Sequence, residues 1–106
     1  MPSRNKDAAE AGKLIDRRVI LSEAAFAEMV LWQLPEMSAE RPHSVKYRLA
    51  LVVGGICVMR FDNERGKGDH VHAGSVERPY LFRSIDRLVE DFMAEVKDWM
   101  NANRDS

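Results

Sequence analysis

Two histidines one residue apart, His70 and His72, close a segment FDNERGKGDHVH (residues 61–72) that also holds two aspartates, an arginine, a lysine and two glycines. If the chain enters a strand at His70, both imidazoles point to one face. Such a pair has two uses. It can ligate a metal, for which about three protein ligands are needed and Asp62 or Asp69 would be the third. It can also act as general base and general acid at neutral pH. RNA cleavage by 2′-hydroxyl attack needs a base for the hydroxyl, an acid for the leaving oxygen and cations for the charge on phosphorus. His70, His72, Arg65, Lys67 and Arg60 supply those residue types within a short stretch, and Tyr80 adds a hydroxyl. No distant Cys/His pair supports a metal, so the expectation is a metal-independent reaction with no cofactor. The competing plain reading is a solvated turn, since Asp62-Asn63 favours a turn through side-chain-to-backbone hydrogen bonds and Gly66 and Gly68 bend easily. A lone GxG around Lys67 is a weak phosphate-loop signal.

The elements that must position this segment are readable on both sides of it. KYRLALVV (46–53) alternates Tyr47, Leu49 and Leu51 against Lys46, Arg48 and Ala50, and ICVMRF (56–61) is rich in β-formers. Gly54-Gly55 joins them with the backbone freedom of a two-residue hairpin turn. From Ile85 the apolar residues Leu88, Val89, Phe92, Met93, Val96, Trp99 and Met100 follow helical spacing, with Ser84 as N-cap and Asp86 in the first turn. Residues 17–35 fit a helix by propensity. They also fit two strands with a turn near Glu23 to Ala25, Phe26, Val30, Trp32 and Leu34 falling on one side, and Ala27, Met29, Leu31 and Gln33 on the other.

A chain of 106 residues makes one domain. Its bounds are expected at residues 13–100, between flexible ends at 1–12 and 101–106. No apolar run approaches the ~20 residues of a membrane span, and MPSRNKDAAEAGK is not a secretory signal. The lone Cys57 reads as a small core residue and fits a reducing cytoplasm. The net charge of −1 provides no global field for nucleic acid, so any RNA contact must come from a local patch.

The sequence resembles the TumE family of small bacterial toxin components of toxin–antitoxin systems. The likeness is carried by Lys46-Tyr47-Arg48, by Arg60-Phe61-Asp62-Asn63-Glu64, and by Gly66-Lys67-Gly68-Asp69-His70 with His72. It continues through Glu77-Arg78-Pro79-Tyr80 with Phe82, then Asp91-Phe92, and upstream Glu28, Trp32 and Pro35. It covers roughly residues 13–98. The resemblance decides for strands over 17–35 and so for an α+β fold: one antiparallel sheet of about four to five strands with the amphipathic helix packed on one face. It implies a toxin partnered by a DNA-binding antitoxin, helix-turn-helix or winged-helix, that masks the loop and represses the operon. The candidate catalytic residues are then His70, His72, Lys67, Arg65 and Asp62. The candidate substrate contacts are Arg60, Asn63, Asp69, Tyr80 and Arg48, with RNA as the substrate. A non-enzymatic protein binding its antitoxin or a cellular target through the same surface is the alternative. A homodimer is expected because a small sheet leaves an edge to cover.

Overall fold

The computed structural model describes residues 12–35, 44–63 and 68–103. Six strands form one antiparallel meander in chain order: β1 (Gly12–Ile20), β2 (Ala25–Gln33), β3 (Val45–Val53), β4 (Ile56–Asp62), β5 (His70–Ala73) and β6 (Val76–Pro79). Among the described residues one helix, α1 (Ile85–Asn103), follows. The α+β architecture is as expected, but the sheet has six strands and not four to five. The additional strand is β6. At four residues, all exposed, it carries no buried face and therefore no hydrophobic alternation to read.

The turns are set by local chemistry. Gly54 and Gly55 adopt φ of 60° and 79°, the left-handed pair that a tight hairpin demands. Gly74 at φ 63° closes the β5–β6 hairpin. The β1–β2 turn lies at Leu21–Ala24, slightly earlier than the sequence suggests, because β2 begins at Ala25 with that residue already buried. Cys57 is exposed, not core. It lies where the β3–β4 register shifts between Leu51 and Val52, which breaks the alternation that would have turned it inward.

The two faces of the sheet differ in kind. Ala27, Met29 and Leu31 of β2, Tyr47, Leu49 and Leu51 of β3, Met59 and Phe61 of β4 and Val71 of β5 all point to α1. The helix answers with Leu88, Phe92 and Val96, one stripe at helical spacing and fully buried. Phe61 meets Phe92 edge-on at 5.6 Å and Tyr80 edge-on at 5.3 Å. Ser84 Oγ caps the helix by accepting the Arg87 N–H at 3.0 Å. Arg78 of β6 reaches Glu95 at 3.0 Å, and the Tyr80 hydroxyl donates to Asp91 at 2.7 Å. The opposite face carries Phe26, Glu28, Val30 and Trp32 from β2, Lys46, Arg48 and Ala50 from β3, and the site described below. Among the described residues no helix or strand covers it, and no helix is long and apolar enough to cross a membrane.

Two stability predictions follow from the helix face. Truncating Phe92→Ala removes the ring that wedges against Phe61 and should cost about 3–5 kcal/mol, measured by urea unfolding. The Asp91 carboxyl is held below the ordinary carboxylate range, first by the Tyr80 hydroxyl and then by Arg87, against the opposing effect of its partial burial. A depressed folded-state value means that this carboxylate stabilises the fold above its unfolded pKa of about 3.9 and ceases to do so as pH falls through the folded value. The stability difference between wild type and Asp91→Asn should therefore be full at neutral pH and should vanish on acidification below that range.

Candidate functional site

The sheet register builds the site. Arg48 pairs with Asp62, Asp62 with His70, and His70 with Pro79; one step along, Ala50 pairs with Arg60, Arg60 with His72, and His72 with Glu77. Directly paired residues point to the same face, so Arg48, Arg60, Asp62, His70, His72 and Glu77 share the face away from α1. Asp62 is 3% exposed and His70 4%, against a sheet surface that no helix among the described residues covers.

The side chains then converge. His70 Nε2 stands 2.8 Å from Asp62 Oδ1, and Arg60 Nε stands 2.7 Å from Asp62 Oδ2. Neither contact is directed as a hydrogen bond, and His72 Nε2, also buried, has no hydrogen-bond partner among the described residues. The two imidazoles meet edge to face with centroids 4.5 Å apart. One ligand-type atom from each of Asp62, His70 and His72 lies within 4.8 Å of the other two. Glu77 Oε2, on the half-exposed rim, is 3.8 Å from His70 Nε2 and 3.7 Å from His72 Nε2. Behind the cluster, His70 Nδ1 is 3.0 Å from the Gly68 carbonyl oxygen. A carbonyl only accepts, so Nδ1 donates its N–H to Gly68 and Nε2 is the nitrogen on the cluster side.

Two hollows flank this point. One, of about 270 Å³, is lined by Val30, Trp32, Lys46, Arg48, Asp62 and Asn63 among others. Its Lys46 ammonium sits 5.6 Å from the centroid of the Trp32 ring. The other, of about 180 Å³, is lined by Arg60 and His72 with Cys57, Val58, Met59 and Gly74. Aromatic surface and positive charge therefore lie on one side of the cluster, and a polar hollow on the other.

Of the residues singled out from sequence, Asp62, His70, His72, Arg60 and Arg48 come together on this face. Arg65 and Lys67 lie outside the described residues. Three others are engaged elsewhere. Asp69 accepts the Tyr47 hydroxyl at 2.7 Å, and burial followed by that bond pushes the Tyr47 phenol well above its ordinary value. The Tyr80 hydroxyl is on the helix side, bonded to Asp91, and burial followed by that bond raises its pKa too. Asn63 is buried and clamps the start of β3: its Oδ1 accepts the Tyr47 N–H at 3.0 Å and its Nδ2 donates to the Val45 carbonyl at 2.7 Å. Glu77, Trp32 and Lys46 lie on the same face although sequence reasoning did not select them as site residues. All three stand in the motif segments, but only the strand register shows which face each occupies.

The Asn63 clamp is testable. Asn63→Ala removes both bonds from a buried position and should lower stability by about 2 kcal/mol or more, read from urea unfolding of the variant.

The comparisons with known proteins agree with the motif. No curated protein and no solved structure matches the chain. The family model described as Toxin TumE matches residues 6–100, which takes in all six strands, most of α1 and every residue of the cluster. The chain therefore belongs to the TumE family of toxins.

Proposed function

We propose that this toxin acts as an endoribonuclease on RNA laid across the open face of the sheet, with Asp62, His70 and His72 as the reacting cluster. The observation that carries the reading is the convergence of those three side chains, two of them almost fully buried, on one point between an aromatic, cationic hollow and a polar one. An unpaired RNA strand offers bases that stack on aromatic rings and phosphates that seek arginine and lysine. Trp32, Lys46 and Arg48 provide for both on one side, and Arg60 supplies a guanidinium at the cluster itself.

In the reaction the ribose 2′-oxygen bonds to phosphorus as the bond from phosphorus to the 5′-oxygen breaks. One proton leaves the 2′-hydroxyl and one is delivered to the 5′-oxygen. The cluster exchanges these protons, either through an imidazole or through a water that the imidazoles hold. His72, whose side chain is a quarter exposed, is the ring that a phosphate on this face reaches first, and His70 lies buried behind it. Arg60 and Arg48 offset the charge that builds on the phosphoryl oxygens. In the sequence, Arg65 and Lys67 stand between the residues of the cluster and add to the same task.

Membership of a toxin family implies an antitoxin. We assign that role to a DNA-binding protein of helix-turn-helix or winged-helix type, which neutralises the toxin by covering the open face.

Inducing the chain in a bacterium without antitoxin should arrest growth and fragment total RNA early, whereas the His70→Ala, His72→Ala double variant should do neither. Arrest with intact RNA would contradict the ribonuclease reading and favour a protein that acts by binding. On purified protein, Trp32→Ala and Arg48→Ala should each weaken binding to single-stranded RNA, by about 1–3 kcal/mol for the stacking residue, with the fold unchanged by circular dichroism.

A further inference from the structure

We infer that Asp62, His70 and His72, with Glu77 at the rim, form a binding site for one divalent transition-metal ion of the zinc type. His70 is tied through Nδ1–H to the Gly68 carbonyl, and its buried Nε2 stands 2.8 Å from the buried Asp62 Oδ1 with no directed hydrogen bond between them. Buried polar atoms left without hydrogen bonds are costly unless another group satisfies them. Arg60 answers only the other carboxylate oxygen, Oδ2. The buried Nε2 of His72 lies within 4.8 Å of both atoms and is likewise without a hydrogen-bond partner among the described residues.

An ion at that point resolves all three atoms together. Ligand atoms about 2.0–2.1 Å from a zinc-like ion stand about 2.9–3.4 Å from one another for angles between square and tetrahedral. Asp62 Oδ1 and His70 Nε2 are 2.8 Å apart, Glu77 Oε2 is 3.8 Å from His70 Nε2 and 3.7 Å from His72 Nε2, and the Asp62, His70 and His72 atoms lie within 4.8 Å of one another, so a bound ion would draw the His72 and Glu77 side chains inward. The donor set of two imidazoles and carboxylates suits zinc, cobalt or manganese and disfavours magnesium and calcium, which prefer oxygen alone. The surrounding groups are also those that support an ion. The Gly68 carbonyl stands 3.0 Å from His70 Nδ1, and the Arg60 guanidinium stands 2.7 Å from the second oxygen of Asp62. Two carboxylates and one guanidinium leave a local charge of about −1 to meet the ion's +2.

The inference rests on the ribonuclease reading only for what the ion would do there: with both imidazoles as its ligands, it would serve as a Lewis acid beside the scissile phosphate, and a held water rather than an imidazole would exchange the protons. The site itself stands on its ligands. It departs from the metal-independent reaction that the sequence suggests.

The test uses the full chain without a tag, stripped with a chelator and dialysed, then titrated with Co2+ and with Zn2+ while the visible ligand-field bands of cobalt are recorded. One Co2+ per chain should bind with resolved bands and be displaced by Zn2+. His72→Ala and Glu77→Gln should each weaken binding at least about tenfold, with unchanged circular dichroism. Asp16→Asn, on the far edge strand, should bind as wild type does. Absence of binding by the wild type overturns the site, as does equal binding by the His72 variant. RNA cleavage measured alongside separates the two readings. Cleavage that persists in chelator without bound metal leaves the ribonuclease standing and removes the ion. Tight binding with intact RNA does the reverse.

Discussion

The placement of Asp62 is the constraint on which the rest of the structure depends. A carboxylate 3% exposed on the face of a sheet must be met by positive or hydrogen-bonding groups, and the β3–β4–β5 register is what brings Arg60 and His70 to it. A slip of one residue between β4 and β5 would turn Val71 outward and both histidines into the core, where Phe61 and Phe92 leave no room for them. The packing of α1 on the other face therefore has a role beyond burial. By fixing Phe61 and Val71 inward, it fixes Asp62, His70 and His72 outward.

The candidate site lies on one side of the molecule for a related reason. The helix side is closed by Leu88, Phe92 and Val96 and pinned by the Tyr80–Asp91 and Arg78–Glu95 contacts. The other side keeps its charged and aromatic residues in two hollows around the cluster. The proposed RNA strand would be held on such a face by the local arginines and lysines, since the net charge of the chain is near neutral. Asp62 Oδ1, His70 Nε2 and His72 Nε2, buried without hydrogen-bond partners among the described residues, are the atoms on which the proposed chemistry rests.

Much of this was legible in the sequence. Helix α1 announced itself through spacing, cap and first-turn acid, and the Gly54-Gly55 hairpin through its dipeptide. The strand interpretation of His70–His72 correctly placed both rings on one face. The family followed from motif segments spread along the whole chain. What could not be read has physical causes. Strand β6 buries nothing and has no pattern. Cys57 looked apolar-run core until a register shift turned it out. Asp69 and Tyr80 have the chemistry of site residues, but their partners Tyr47 and Asp91 are distant in sequence and lie on the helix side. Glu77 joins the cluster only through cross-strand pairing with His72, which no linear spacing reveals.

The most direct test of the account is cleavage in a purified system. Catalytic amounts of the wild-type chain and of His72→Ala, matched for folding by circular dichroism, are incubated with a large excess of single-stranded RNA, and the products are resolved by length. The account predicts multiple turnovers and discrete fragments with the wild type and intact RNA with the variant. Intact RNA with both, or equal fragmentation by both, would contradict it.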